Sequence, residues 1–289
     1  MLQPVADRLS PRHFQAIATV VEARTGIRLP PAKQTMVEGR LRRRLRALGL
    51  ADLGQYGRLL FEEGGLEEEW VHVVDCVTTN KTDFFREPSH FEFLVREALP
   101  QLTRGGERRD GLKIWSAAAS IGAEAFTTAM VLEDCVKAGR LSDFVILGTD
   151  ISADVLAEAR AAIYTRAMTA PIPPSMRQRY LMESRDPARD EVRIVPELRR
   201  RVRFQALNLM DREYRLDRDI DVIFCRNVLI YFDKAVQSAV VSRLVSHLRP
   251  GGFLILGHSE SMAGGEATGV RQIVPTIFQR NAAAERRAA

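Results

Sequence analysis

Apolar positions recur at helical spacing through residues 10–79. Phe14, Ile17, Ala18 and Val21 make one stripe, opened by Ser10-Pro11 and closed by Gly26, and predict a helix capped by Ser10. Val37, Leu41, Leu45 and Leu48 make a second over about 32–48, with Gly49 just past its end. Asp52 caps a third, short helix through Leu60; Gly64-Gly65 breaks the chain; Trp70, Val73, Val74 and Val77 mark a fourth. Four short helices predict a small bundle.

After about residue 110 the pattern changes. Residues 112–118, 144–149, 202–206, 220–225 and 253–256 read as strands, with 276–279 as a final edge strand. The run at 220–225 is nearly continuous in apolar residues, as a strand covered on both faces should be. Helices follow the first strand to about Ala138, cover 152–163, and cover 234–248 up to Pro250-Gly251-Gly252. Alternating strand and helix predicts a mostly parallel sheet with helices on both faces, an α/β architecture. More than 35 residues separate Tyr164 from Arg201, too many for a simple connection. The alternation Val192-Arg193-Ile194-Val195 makes that segment a folded insertion with β structure, at about 165–200. The tail at 281–289 is expected to be disordered.

The chain's 289 residues allow one large domain or two smaller ones. No stretch approaches the roughly 18 apolar residues of a membrane helix, so no membrane insertion is expected. Met1-Leu2-Gln3-Pro4 has neither a basic nor an apolar leader region, so no secretory signal is predicted. Cys76, Cys135 and Cys225 each lie in apolar segments without metal-ligand spacing. They read as buried thiols of a reducing, cytoplasmic compartment. A net charge of +5 permits an anionic partner without demanding one.

Candidate chemistry gathers at strand ends. In doubly wound folds ligands sit beyond the carboxyl ends of the strands, near the first strand-to-helix turn. Here that turn is Trp115-Ser116-Ala117-Ala118-Ala119-Ser120-Ile121-Gly122, small enough for backbone contact but not the G-x-G-x-x-G of a dinucleotide site. Close helix-on-strand packing would explain the small residues equally well. Asp150, ending the second strand, suits a ribose; the rival reading as a helix cap is weakened because Ser152 can cap. Glu124 opens the next helix, where the helix dipole alone would favour a carboxylate, or it faces a ligand's ammonium group. Asn227 and Tyr231 follow the buried fourth strand in Cys225-Arg226-Asn227-Val228-Leu229-Ile230-Tyr231-Phe232, which lacks the Asn/Asp-Pro-Pro-Tyr/Phe of adenine methyltransferases. Residues 77–91 (Val-Thr-Thr-Asn-Lys-Thr-Asp-Phe-Phe-Arg-Glu-Pro-Ser-His-Phe) mix polar and apolar positions without a period. Reading them as a linker with a helix starting at Asp83 or Ser89 leaves Asn80, Thr82 and Arg86 without a task.

Residues 78–91, 115–124 and 224–232, with Gly257-His258-Ser259-Glu260, together resemble the CheR-type chemotaxis receptor methyltransferases over about 10–280. The resemblance implies a Rossmann-like class I S-adenosylmethionine-dependent methyltransferase with a small all-helical N-terminal domain and an inserted small β-subdomain. It implies a helical bundle at 1–80 for receptor docking, a linker at 81–109 contributing cofactor contacts, and a methyltransferase domain at 110–280. The implied reaction moves the methyl group of S-adenosyl-L-methionine to glutamate carboxylates of chemoreceptors, leaving glutamyl methyl esters and S-adenosyl-L-homocysteine, with no metal. Carried over by motif, Asn80, Thr82, Arg86, Glu124, Asp150, Asn208, Leu209, Arg226 and Asn227 would bind the cofactor. Glu124 would take the ammonium group and Asp150 the ribose, while Arg86 and Tyr231 would flank the transferred methyl group.

The partners implied are the cytoplasmic helices of chemoreceptors, methylated by a monomer. The helix at 32–48 carries Lys33, Arg40, Arg42, Arg43, Arg44 and Arg46 against Glu38, and Arg40, Arg43 and Arg44 would dock on acidic receptor helices rather than simply face solvent. Nucleic acid is disfavoured because no stacking aromatics are interleaved. Two departures stand out. The family's Gly-Glu-Glu-Pro-Tyr is Gly122-Ala123-Glu124-Ala125-Phe126 here, and residues 183–190 lack the glycine-containing loop that grips a receptor pentapeptide, so weak or absent tethering is expected. A methyltransferase for another substrate, or a non-catalytic S-adenosylmethionine or S-adenosylhomocysteine sensor, are the rival readings.

Overall fold

In a computed structural model of the chain, residues 7–104, 111–186, 188–260 and 269–281 are described. The expected disordered tail lies outside them except for Asn281, as do the last residues of the expected linker. The chain divides into two units, Met1–Thr79 and Asn80–Ala289.

The first unit holds four helices, α1 (Pro11–Thr25), α2 (Gln34–Leu48), α3 (Leu53–Phe61) and α4 (Leu66–Val77). Their ends follow the sequence signals. Ser10 accepts a hydrogen bond from the His13 amide and Asp52 one from the Gln55 amide, while Gly26 and Gly49 take left-handed φ of 73° and 68°. A short 3-10 turn, Pro31–Lys33, precedes α2. Phe14, Ile17, Val21, Val37, Leu41, Leu45, Tyr56 and Val73 form the buried centre.

The second unit opens with a helical stretch made of α5 (Ser89–Phe93), a π-type turn (Leu94–Ala98) and α6 (Leu99–Leu102). There follow β1 (Leu112–Ala117), α7 (Ala123–Lys137), β2 (Phe144–Asp150) and α8 (Ala153–Ala161). The insertion comprises β3 (Ile163–Thr165), α9 (Arg166–Thr169), α10 (Pro174–Tyr180), β4 (Leu181–Glu183), β5 (Glu191–Ile194) and α11 (Pro196–Arg201). The chain then returns through β6 (Val202–Ala206), β7 (Ile220–Cys225), α12 (Lys234–His247), β8 (Leu248–Leu256), β9 (Val270–Val274) and β10 (Ile277–Arg280). The main sheet runs β6-β2-β1-β7-β8-β10-β9. Its β2–β6, β1–β2, β1–β7 and β7–β8 pairs are parallel, and β10 is antiparallel to both neighbours. Counting only its own strands, the order is 3-2-1-4-5-7-6, the expected doubly wound α/β arrangement. Strands β3, β5 and β4 form a separate antiparallel sheet, the expected β-subdomain.

Two strand expectations need correction. The last strand is not the edge: β10 is buried between β8 and β9. The true edge, β9, buries only Val270, so it carries no apolar alternation to read. Strand β8 begins at Leu248, five residues before Phe253, and runs through Pro250-Gly251-Gly252. Gly252 is required there, because a Cβ would meet the Asp221 carbonyl oxygen at 2.9 Å.

Register fixes where ligand-facing loops leave. Ala117 lies level with Thr149 and Cys225, Cys225 with Leu256, and Asp150 with Ala206. The carboxyl ends of β6, β2, β1, β7 and β8 therefore finish in one row, and the loops beyond them share one sheet edge.

Candidate functional site

The turn after β1 is strained and clamped. Ala118, Ser120 and Gly122 have φ of 57°, 51° and 85°. Gly122 is sterically required, since a Cβ would meet Phe204 Cζ at 2.9 Å. The Ala119 amide donates to the Thr149 carbonyl at 2.8 Å, and the Ser120 amide to Asp150 Oδ2 at 2.8 Å. Asp150 Oδ1 accepts from the Ser152 amide at 3.0 Å, and Ser152 itself caps α8 by accepting from the Val155 amide. Asp150, buried at the end of β2, thus fixes the shape of the neighbouring turn. Ser120 Oγ donates to the Asn80 carbonyl at 2.8 Å, which joins the segment after residue 79 to the same turn.

Arg226 forms a second hub. Its Nη1 donates to Glu124 Oε2 at 3.0 Å, its Nη2 and Nε donate to Glu87 Oε2 at 3.0 and 3.3 Å, and Nη2 also donates to the Arg86 carbonyl. Its guanidinium carbon lies 5.5 Å from the centre of the Phe91 ring. Ser116 Oγ donates to Glu124 Oε1 at 2.6 Å, and Asn227 Nδ2 to Glu87 Oε1 at 3.3 Å. The Arg226 side chain is only 3% exposed, with Glu124 at 12% and Glu87 at 13%. Burial acts to raise the Glu87 carboxyl, but the Arg226 charge and the donors Arg226, Asn227 and His258 N–H outweigh it and hold it below the usual range. Arg226 thus appears in the structure as an organiser of two carboxylates and a backbone carbonyl.

Glu260 clamps the loop after β7. Its Oε2 accepts from the Gly257 and Asn227 amides at 2.7 and 2.9 Å, and its Oε1 from the Val228 and Leu229 amides, both at 2.8 Å. Burial pushes its carboxyl up against the pull of those four donors. Asn227 is held at φ 58°. Gly257 has no room for a side chain, since a Cβ would lie 2.6 Å from Asn227 Nδ2 and 2.9 Å from its amide nitrogen. Tyr231, half-buried, ends the 3-10 turn Leu229–Tyr231, four residues beyond Asn227.

In the segment entering α5, Phe85 and Glu87 at φ 55° and 56° flank Arg86. The Phe85 amide donates to Thr127 Oγ1 at 3.1 Å; Arg86, half-buried, reaches the Lys81 carbonyl with Nη1 at 3.3 Å. Thr82 is half-buried nearby in sequence. Beyond β6, Asn208 Oδ1 accepts from the Met210 amide, and the buried Leu209 offers its carbonyl to the Tyr214 hydroxyl. A cavity of about 560 Å³, lined by residues 205–207 and 211–215, adjoins that pair without including it.

The hydrogen bonds therefore draw Arg86, Glu124, Arg226 and Asn227 into one network, and Asn80 and Asp150 into a second, while Thr82, Asn208, Leu209 and Tyr231 stand on loops of the same edge. Glu87 and Glu260 tie the loops of this edge together, and neither has a role assigned from sequence. Each sat inside a quoted motif, and the only signal available was a carboxylate in an otherwise apolar or glycine-rich context.

In the first unit the basic helix is partly self-satisfied. Arg44 grips Glu69 with Nε and Nη2 at 2.8 and 2.7 Å, and Arg40 Nη1 donates to the Cys76 and Thr78 carbonyls. Glu38 is buried, accepting from the Leu9 amide and Gln34 Nε2. The expectation that Arg40 and Arg44 present a docking face is corrected to this extent: both turn toward α4, and Arg42, Arg43 and Arg46 are the exposed cations.

Residues 80–277 match the family described as CheR methyltransferase, SAM binding domain, and residues 12–78 match its all-alpha domain. The chain is 40% identical over 257 residues to the chemotaxis protein methyltransferase of Salmonella typhimurium strain LT2, covering 88% of this chain and 85% of that protein. It is 41% identical over 257 residues to that of Escherichia coli strain K12, with coverage of 88% and 86%. To that of Borreliella burgdorferi strain B31 it is 34% identical over 259 residues, covering 89% of each. No described helix is long and apolar enough to cross a membrane.

Proposed function

The chain belongs to the CheR methyltransferase family, and from that premise we propose that it methylates glutamate side chains of chemoreceptors, yielding γ-carboxyl methyl esters. S-adenosylmethionine is its cofactor and the chemotaxis adaptation system its setting. The observation that carries the reading is the Arg226 hub at the carboxyl edge of the sheet, which holds Glu124, Glu87, Arg86 and Asn227 in one network.

The residues present fit the cofactor. Two carboxylates around one guanidinium leave net negative charge for a ligand carrying an ammonium and a sulfonium. Glu124 is the acceptor for the ammonium group. Asp150, anchored at the end of β2 by the Ser120 and Ser152 amides, is placed for the ribose hydroxyls. Asn80, Thr82, Asn208, Leu209 and Asn227 complete the set along the same edge. When bound, S-adenosylmethionine supplies a methyl group on a positively charged sulfur to an oxygen nucleophile.

A substrate glutamate, with pKa near 4.3, is already ionised at neutral pH and needs no general base. The protein's task is placement at about 3–3.5 Å and exclusion of water. Arg86 orients the incoming carboxylate by charge-assisted hydrogen bonds, and Tyr231 shapes the gap. The first unit docks on acidic receptor helices through Arg43 and its exposed basic neighbours, an attraction that weakens with salt. Pentapeptide tethering through residues 183–190 is weak or absent.

The test is transfer of labelled methyl from the cofactor to receptor fragments, followed by mild base. Base-labile label on glutamate is expected, and a base-stable product would turn the reading toward another substrate. Arg86→Ala and Tyr231→Phe should each cut turnover far more than stability.

A further inference from the structure

We propose that Glu87, His90 and His258 form a binding site for a borderline transition-metal cation, of which Zn2+ is the type, and that its occupancy inhibits methyl transfer. One ligand atom from each residue lies within 4.8 Å of the others. His258 is exposed and His90 is 2% exposed, their rings 4.9 Å apart between centroids.

The proton positions favour a cation. His90 Nε2 lies 3.0 Å from Thr276 Oγ1, and that hydroxyl donates its one proton to the Pro275 carbonyl at 2.7 Å. Thr276 must therefore accept from Nε2–H, which leaves the lone pair on Nδ1. Nδ1 has no hydrogen-bond partner and stands 3.4 Å from Glu87 Oε2. The unpartnered Nδ1 thus faces a carboxylate oxygen that accepts from Arg226 and from the His258 amide. An imidazole whose Nε2–H is held by a hydroxyl presents its Nδ1 as an oriented metal ligand. Two ring nitrogens and one carboxylate suit Zn2+, Ni2+ or Cu2+ and not Mg2+ or Ca2+.

Inhibition follows from a shared oxygen. Glu87 Oε2 also accepts from Arg226 Nη2 and Nε. A cation there competes with the guanidinium and loosens its hold on Glu124 and the Arg86 carbonyl. The inhibitory part rests on the methyl-transfer reading, whereas metal uptake does not, so the two can fail separately.

The experiment titrates the full, tag-free chain with Co2+ and reads visible d–d absorption. A saturable, intense low-coordinate spectrum, displaced by Zn2+ and untouched by Mg2+, is expected. His258→Ala, at an exposed position that spares the fold, should weaken Co2+ binding by about tenfold or more. In the methylation assay Zn2+ should inhibit reversibly to EDTA, with the half-inhibiting concentration rising by a similar factor in His258→Ala. A purely hexa-aqua Co2+ spectrum, or equal titration of the two proteins, would overturn the site. Co2+ uptake with turnover unchanged by Zn2+ would overturn its inhibitory role.

Discussion

Replacing Arg226 by Met removes a guanidinium that is 3% exposed and leaves Glu87 and Glu124, 13% and 12% exposed, without their shared cation. Met fills similar space beside Phe91 but supplies neither the guanidinium over its ring nor a donor to the Arg86 carbonyl. Removing one partner of a buried pair costs about 3–5 kcal/mol. At a urea slope of about 3 kcal/mol/M that lowers the unfolding midpoint by about 1–1.7 M. Trp115 is fully buried in the second unit, so its fluorescence in a Trp70→Phe background reports that unit. The pH dependence gives the sharper test. In the wild type Glu87 lies below its usual range, so its contribution is complete above about pH 4.3 and fades as pH falls through the depressed value. Without Arg226, burial dominates and the carboxyl rises above 4.3. The folded variant then binds a proton the unfolded chain releases, and it loses stability as pH rises through that window. The deficit should be largest near pH 7.5, smaller near pH 5.5, and partly repaired by adding Glu87→Gln. A midpoint shift under about 0.3 M, or a deficit independent of pH, would refute the reasoning.

Glu260→Gln replaces a carboxylate serving four amides with a group that presents an NH2 to some of them; S-adenosylhomocysteine affinity measured by calorimetry should fall at least about tenfold. Gly257→Ala places a methyl 2.6 Å from Asn227 Nδ2, and should cost about 1–3 kcal/mol by urea unfolding along with cofactor affinity. Arg44→Ala strands Glu69, whose carboxyl its Arg44 hydrogen bond holds low, so the first unit should lose stability at neutral pH, with the difference from wild type narrowing below about pH 4. Arg43→Glu should instead raise the Michaelis constant for receptor fragments and flatten its salt dependence; unchanged kinetics would count against docking there.

The helices and central strands were legible because local pattern and tertiary burial agree. Ile220–Cys225 is apolar except for Asp221 and entirely buried, and Ser10, Gly26, Asp52 and Ser152 cap the helices they announce. The edge strand Val270–Val274 was not legible, since an edge with one buried residue has no periodicity to show. The clamps were hidden for a different reason. Arg226 and Glu87 are 139 residues apart, and Glu260 reaches back 31 to 33 residues, so no window of sequence contains both partners. Helical spacing placed Arg40 and Arg44 on one face correctly, but it carries no information about what lies opposite. Here that is Glu69 and two carbonyls at the end of α4.

Five non-glycine residues with left-handed backbone, Phe85, Glu87, Ala118, Ser120 and Asn227, lie in the three segments that meet at the carboxyl edge. Each such residue costs about 1–3 kcal/mol, and the conformation persists only where the surroundings over-determine it. A carboxylate does this in every segment: Asp150 grips the Ser120 amide, Glu260 the Asn227 amide, and Glu87 engages the Arg226 that holds the Arg86 carbonyl. In many enzymes buried carboxylates at such an edge would be acids or bases. Here they accept from backbone amides and a guanidinium, which accords with the proposed reaction, whose nucleophile arrives already ionised. The acidic groups of this site shape the loops, and the transfer needs from the protein position and dryness more than proton exchange.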